Sequence, residues 1–128
     1  MARVNEPHVQ AYIRPVLINI SNHPVLGWSE EQKKGYKIID VPFPAIDPCA
    51  SAESIRDSAF KLAAELNDKY LTNETFFVAG EFSFSFHMVA KLHALGRTVV
   101  QATTERIVEE LADGTRNVAF QFRQWRII

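Results

Sequence analysis

The sequence has few features that would hold a chain together other than a hydrophobic core. It contains one cysteine, Cys49, among 128 residues, so no disulfide can form within the chain. No run of about 20 apolar residues is present, the length that a membrane-spanning helix needs. Its 14 Lys and Arg are balanced by 15 Asp and Glu, which excludes the positive field that attracts long nucleic acid. We therefore expect no membrane and no long nucleic acid among its partners.

The apolar residues that are present suffice for one core. They make up 47% of the chain, against 23% charged residues, which is typical of a globular domain. Residues 1–14 show no period, and we interpret them as an N-terminal extension before a single domain over residues 15–128. The first ten residues lack the apolar centre of a secretory signal, and a lone cysteine suits a reducing compartment. We therefore expect a cytoplasmic protein.

The order of the predicted elements indicates an α/β fold. Apolar, β-branched runs predict four strands, at Val16–Ile20, Lys37–Val41, Thr75–Ala79 and Arg97–Ala102. Between them, capping residues and helical spacing predict a short helix after Ser29, a long one over Ser51–Lys69 and a third from about Phe82 to Gly96. This alternation predicts a mainly parallel α/β sheet flanked by helices.

The end of the chain predicts a β-hairpin. Asp113-Gly114 lies between the apolar runs 107–111 and 117–122, and Asp-Gly in that position is a strong hairpin signal. A helix over Glu105–Leu111 is the alternative.

The third predicted helix is apolar on two sides. Phe82, Phe86, Val89 and His93 form one stripe, and Phe84, Met88 and Leu95 form another. A helix of this kind is usually buried all round, and a chain this short has little with which to cover the second side. We therefore predict a homodimer with this helix at its interface.

Three predicted strand ends carry small polar residues. Parallel sheets bind ligands beyond the carboxyl ends of their strands, so these residues are the candidate site: Ser21, Asn22 and His23 after the first strand; Gly80, Glu81, Phe82 and Ser83 after the third; and Thr103, Thr104 and Arg106 after the fourth. Gly80 before a helix would let a phosphate approach backbone N–H groups. No Walker or GxGxxG motif is present, and no His/Cys cluster has metal-ligand spacing, so we expect neither a metal nor a cofactor.

Each of these residues also has a purely structural interpretation. His23 before Pro24 is suited to a turn, Glu81 to a helix N-terminus, and Ser83 to a cap. Thr103 and Thr104 suit a strand, and Arg106 suits a surface ion pair with Glu105 or Glu109. His87 and His93, on a crowded helix, are expected to be packed.

Two segments resemble a known family. The run from Val78 to Phe86 contains Gly80-Glu81-Phe82-Ser83, and the run from Val100 to Glu110 reads VQATTERIVEE. Together with Asn19-Ile-Ser-Asn-His-Pro24 and the ending Phe120-Gln-Phe-Arg-Gln-Trp-Arg126, they resemble small CRISPR-associated accessory proteins of type III systems. The resemblance covers residues 15–126.

This resemblance implies a single Rossmann-like α/β domain. It also implies a ring nuclease, a protein that binds and cleaves the cyclic oligoadenylate second messenger, either tetra- or hexa-adenylate. The ribose 2′-OH of the ring would attack without a metal, with His23 as the proton-transfer group and Glu81 as second choice. Arg106, Thr103, Thr104 and the amides of residues 80–83 would stabilise the phosphorane, and Ser21, Asn22 and Phe82 would bind the ring. A binding protein that does not cleave, and a dimeric interaction module, are the alternatives.

Overall fold

A computed structural model describes residues 14–128 of the chain. The extension predicted over residues 1–14 therefore lies, except for Arg14, outside the described residues. The strands are β1 (Val16–Ser21), β2 (Lys37–Pro42), β3 (Thr75–Ala79), β4 (Thr98–Glu110) and β5 (Arg116–Ile127). The helices are α1 (Glu30–Lys33), α2 (Ala52–Lys69) and α3 (Phe82–Ala94), with one 3₁₀ turn at Val25–Gly27.

The strands form one sheet in the order β2-β1-β3-β4-β5. The first four are parallel, and β5 runs antiparallel to β4. The predicted α/β class, with a mainly parallel sheet and a C-terminal hairpin, is thus confirmed. The chain moves outward from β1 to β2 and then returns past β1 to β3, so the carboxyl ends of β1 and β3 border the switch point of the topology. Such a point is where open α/β sheets bind ligands.

Local signals set the helix boundaries. The hydroxyl of Ser51 accepts from the Ser54 N–H at 3.1 Å and begins α2, and Ser29 does the same for Gln32 at 3.2 Å before α1. After α3, Gly96 adopts a φ of +79°, a left-handed conformation in which glycine carries no steric penalty. These caps and stops were predicted at the same residues.

Two apolar layers pack on opposite faces of the sheet. On one face, residues of β1, β3 and β4 such as Ile18, Phe76 and Val99 pack against α2 and α3. On the other face, Leu17, Phe77 and Val100 pack against Trp28 and the partly buried Trp125. The sheet is therefore covered on both sides, as a parallel sheet requires.

Helix α3 buries one of its two apolar stripes within the chain. Phe84, Met88 and Leu92 are buried against α2 and the sheet. On the other stripe, Phe82 is 78% exposed and Phe86 is 57% exposed. The stripe that contains Phe84 and Met88 is buried without a second subunit. The prediction of a dimer interface on α3 therefore rests only on the exposed stripe.

Strand β4 is longer than predicted, and Thr103 to Arg106 lie inside it. The predicted strand end at Ala102 and the alternative helix over residues 105–111 are both wrong, because β4 continues to Glu110 in register with β5. Pairing with β3 extends only to Val100. Beyond that residue β4 and β5 form a two-stranded ribbon of residues 101–126, here called the arm. Its turn lies at Asp113-Gly114, as predicted, and Gly114 has a φ of +87°.

Within residues 14–128, no helix has both the length and the apolar character needed to cross a membrane.

Candidate functional site

An open cavity lies at the carboxyl end of β3, between Gln101 of β4 and the exposed stripe of α3. Its volume is about 590 Å³, which is within the range of small-molecule sites. It is lined by Val78, Ala79, Gly80, Phe82, Ser85, Phe86, Val89, Ala90, His93, Gln101 and Ile128. The cavity therefore joins the loop after β3 to the start of the arm.

Aromatic rings form one wall of this cavity. The centroids of the Phe82 and Phe86 rings are 6.2 Å apart. The ring of Phe86 packs against the ring of His87, with centroids 5.3 Å apart. The His87 ring packs edge-on against Phe60, at a centroid distance of 6.0 Å. His87 is thus packed, as predicted, whereas His93, which was expected to be packed as well, is exposed. The arrangement leaves two aromatic surfaces open to a flat apolar ligand.

Three polar side chains face this largely apolar space. The amide of Gln101 donates to the Val78 carbonyl at 2.7 Å, and Nε2 of His93 lies 2.9 Å from the Ile128 carbonyl oxygen. The hydroxyl oxygen of Ser85 is buried and has no hydrogen-bond partner within residues 14–128. A buried hydroxyl without a partner is costly. Because neighbouring atoms cover this oxygen, a ligand in the cavity would reach it only after the Ser85 side chain rotates.

The space beside Gly80 is filled by a side chain of the protein. A β-carbon at Gly80 would overlap the ring of Phe43, which also packs edge-on against Phe84 at a centroid distance of 5.3 Å. The predicted close approach of a ligand to this backbone therefore competes with a side chain of the protein itself.

Glu81 and Ser83 satisfy the start of α3. One carboxylate oxygen of Glu81 accepts from the Phe84 N–H at 2.8 Å, and the other accepts from the Ser83 hydroxyl. These two hydrogen bonds, that from Ser83 first, outweigh partial desolvation and lower the pKa of Glu81. Glu81 is then a carboxylate at neutral pH and cannot serve as an acid. Its charge also opposes a phosphate at this helix terminus.

The turn after β1 is built on a buried polar network. Asn19 donates through Nδ2 to the His23 carbonyl and to Oδ1 of Asp40, both at 2.9 Å. The hydroxyl of Ser21 donates to Oδ1 of Asn19 at 2.6 Å and accepts from the His23 N–H at 3.1 Å. Ser21 is therefore engaged inside the turn and is not free for a ligand.

His23 and Asn22 lie at the surface of this turn. The Asn22 N–H donates to the Ala79 carbonyl at 3.2 Å, which joins the turn to the end of β3. The imidazole of His23 is exposed beside a shallow depression of about 360 Å³. His23 is thus on the same edge of the sheet as the cavity but outside its lining.

The residues predicted after the fourth strand lie on the arm. Thr103 and Gln124 exchange two hydrogen bonds of 3.1 Å between the Thr103 hydroxyl and the Gln124 backbone. Arg106 pairs in register with Phe120, and alternation along β4 turns it away from the face that carries Gln101. Glu105 forms its ion pair with Arg123, at 2.6 Å, and not with Arg106. In one chain, therefore, His23, Glu81 and Arg106 do not converge.

The cavity draws on residues that the sequence interpretation did not select. Ser85, Phe86 and Gln101 line it, and Arg126, the cross-strand partner of Gln101, shares the sheet face of that residue. Among the described residues no lysine or arginine lines the cavity itself. The sequence signal for this wall is the stripe of Phe82, Phe86, Val89 and His93, whose apolar character alone predicts a dimer contact.

A second, larger depression lies at the opposite edge of the sheet. Its volume is about 900 Å³, and it lies at the amino ends of β1 and β2, with Arg14, Glu30, Glu31, Lys33 and Lys34 in its lining. Its charges of both signs select no class of ligand. Within residues 14–128 no three His, Cys, Asp or Glu side chains are grouped so as to hold a metal ion.

Comparison with protein families places the chain in a family whose description names no activity. A family model described as the uncharacterized protein MJ1673 family matches residues 15–126. The chain belongs to this family. The match spans the helices and strands β1 to β4, the whole arm, and every residue that lines the cavity except Ile128. No curated protein matches the chain.

Proposed function

We propose that this protein binds cyclic oligoadenylate at the carboxyl edge of its sheet and so lowers the concentration of this second messenger in type III CRISPR antiviral defence. The observation that carries the proposal is the cavity of about 590 Å³ with Phe82 and Phe86 on its wall. The resemblance of residues 78–86 and 100–110 to type III accessory proteins supports the choice of ligand. We place this activity in the cytoplasm.

Adenine fits the chemistry of the cavity. Stacking of a base on an aromatic side chain contributes about 1–3 kcal/mol, and Phe82 and Phe86 offer two such surfaces. A purine also carries ring nitrogens that accept hydrogen bonds, and the unpaired Ser85 hydroxyl would donate to one of them once its side chain rotates toward the cavity. The ligand would thus replace a missing hydrogen bond of the free protein.

The phosphates of the ring would lie outside the aromatic wall. The nearest arginine on the same sheet face is Arg126, opposite Gln101, and arginine suits phosphate because it offers several N–H donors. The turn at Asn22 and His23 borders the same edge through its hydrogen bond to Ala79. A ring would therefore extend from the cavity toward this turn.

Cleavage of the bound ring is a second candidate function, favoured by the exposed His23 imidazole on this edge. A ribose 2′-oxygen would attack the adjacent phosphorus while its proton passes to a base. The bond from phosphorus to the 5′-oxygen then breaks, and that oxygen takes up a proton. The imidazole is suited to this transfer because one of its ring nitrogens accepts a proton while the other donates one.

Binding without cleavage is favoured by a different observation. His23, Glu81 and Arg106 do not converge in one chain, and Glu81 is engaged by Ser83 and Phe84. A dimeric interaction module, the remaining alternative, would require neither the cavity nor its aromatic wall.

Calorimetric titration with cyclic tetra- and hexa-adenylate, in EDTA, tests the binding. We expect Phe86→Ala to weaken the affinity about 5- to 100-fold, from the loss of one stacking surface. Leu71→Ala is the matched control, because Leu71 is exposed but does not line the cavity. If wild type binds neither ring, or if Phe86→Ala binds as wild type does, the proposed site is wrong. Chromatography of the same mixtures shows whether the ring stays intact.

A further inference from the structure

The arm has two unlike faces. Pairing in register places Arg106 opposite Phe120, Val108 opposite Val118 and Thr104 opposite Phe122 on one side, called here the aromatic face. Phe122 also packs against Trp125 at a centroid distance of 5.2 Å. The other side, the polar face, carries Glu105, Ile107 and Glu109 opposite Gln121, Ala119 and Asn117.

The aromatic face is uncovered in the single chain. Phe120 is 68% exposed, Val118 43% and Val108 40%. A two-stranded ribbon is marginally stable alone in water and normally needs a further layer on its apolar side. The apolar cluster around Trp28 on this side of the sheet includes Ala102 and Trp125 but no arm residue between them. The described helices therefore do not cover this part of the arm.

The charges of the arm indicate what covers it. The half nearest the turn, residues 107–119, contains Glu109, Glu110 and Asp113 with only Arg116. The half nearest the sheet contains Arg106, Arg123 and Arg126 with only Glu105. The arm as a whole is neutral, which disfavours a polyanion. It complements a second arm that runs in the opposite direction.

We propose that the aromatic face of the arm packs antiparallel against the aromatic face of the arm in a second copy of this chain. A two-fold axis at the Val108–Val118 pair makes the contact self-complementary. Arg106, for which no ion pair is found within residues 14–128, then lies opposite Glu110 of the partner. The Phe120 rings of the two copies flank the axis.

The surface is large enough for such a contact. One phenylalanine buries about 150–250 Å², and two arms together bring four phenylalanines and four valines. These side chains bury less than their full area, because Phe122 is already partly buried and the valines are about 40% exposed. Together with Arg106, Glu110 and Arg116 on the same face, they bring the contact to the order of 1,000 Å², the lower bound of a specific interface. This inference uses no ligand and stands apart from the proposed function.

Light scattering and sedimentation of the full chain at tens of micromolar test the assembly. We expect twice the chain mass of 14.5 kDa. Phe120→Asp is expected to give monomers, whereas Gln121→Asp, its neighbour on the polar face, is expected to remain dimeric. Monomeric wild type overturns the proposal, and so does a folded Phe120→Asp protein that stays dimeric.

Charge reversal and cross-linking test the orientation. Arg106→Glu and Glu110→Arg should each raise the dissociation constant about two- to fivefold, and the double variant should return it toward wild type. In a Cys49→Ser background, Val118→Cys should be joined to its partner by a short bis-maleimide spanning the sheet spacing of about 10 Å. Ile107→Cys on the polar face should not be joined. Equal cross-linking at both positions, or no recovery in the double variant, overturns the antiparallel packing.

Discussion

The ring of Phe43 lies against the backbone of Gly80, in the space where any other residue would carry its β-carbon. The same ring packs on Phe84. The loop after β2 is thereby fixed on the first turn of α3, at the edge of the candidate cavity. The glycine is explained by this contact between two segments that are distant in the chain.

Gly80→Ala is expected to destabilise the protein by about 1–3 kcal/mol, because the added methyl group overpacks the Phe43 ring. Adding Phe43→Leu should recover part of the loss, so that the two substitutions are non-additive. Urea unfolding measures the free energies. Gly27→Ala is the control, since nothing lies within 4 Å of a β-carbon there, and an equal loss at Gly27 would contradict this explanation.

Asn19→Ala is expected to lower the free energy of unfolding by about 1–3 kcal/mol. Asn19 is 1% exposed, and its loss removes hydrogen bonds to the His23 carbonyl, to Asp40 and from Ser21. Faster amide hydrogen exchange at His23 and Val25 should accompany the change. Asn22→Ala alters an exposed side chain in the same turn and should change stability by less than about 0.5 kcal/mol. Similar effects from both variants would show that the network does not hold the turn.

Arg97 and Glu74 form a mostly buried ion pair at 2.8 Å. Arg97 also donates to the carbonyls of Tyr70 and Thr72. Burial raises the pKa of Glu74, but hydrogen bonds, first from Thr72, and the Arg97 charge outweigh it and lower the pKa below its ordinary 4.5. The pair thus fastens the α2–β3 loop to the start of β4.

Glu74→Gln is expected to cost about 2–4 kcal/mol at pH 7, because it leaves Arg97 without its counter-charge. The lowered pKa means that the contribution of Glu74 is complete above about pH 4.5 and disappears as the pH falls through the folded-state value. The difference between wild type and variant in urea unfolding should therefore shrink below pH 4.5. Glu30→Gln removes an exposed pair with Lys33 and should have little effect. A pH-independent difference for Glu74→Gln would contradict the assignment.

Ser85→Ala separates stability from binding. The substitution removes a buried hydroxyl without a partner and adds a residue of higher helix propensity, so stability should rise by about 0.5–2 kcal/mol. Affinity for cyclic oligoadenylate should fall about 3- to 10-fold, because a hydrogen bond to the ligand is lost. Unfolding and calorimetry measure the two effects. Unchanged affinity would remove Ser85 from the site, and a loss of stability would show that its hydroxyl has a partner in solution.

The helices and parallel strands were predictable because their signals are local. Ser51 and Ser29 cap helices through hydrogen bonds to residues three positions later, and Gly96 ends α3 by its own conformation. The class of fold follows from the order of such elements. None of this requires knowledge of distant contacts.

The arm and the role of Gly80 depend on distant contacts. Thr103 to Arg106 are polar and suit a loop, and only pairing with residues 120–124 makes them a strand. Likewise, nothing near Gly80 in the sequence indicates that Phe43 occupies the adjacent space. The apolar stripe on α3 is visible in the sequence. Whether it lines a cavity or contacts a second subunit depends on the positions of β4 and Ile128, which form the other side of the cavity.

His23→Ala tests whether the bound ring is also cleaved. The imidazole is exposed on the edge that holds the proposed site, while its backbone carbonyl is fixed by Asn19 and Trp28. Removing a general acid or base typically costs about 10²- to 10⁴-fold in rate, so single-turnover cleavage in EDTA should slow at least about tenfold with little change in affinity. Leu26→Ala in the same depression should cleave as wild type does. Wild-type cleavage by His23→Ala would make His23 a turn residue only, and tight binding without cleavage by wild type would assign the protein to sequestration, because the ring would then leave the site intact.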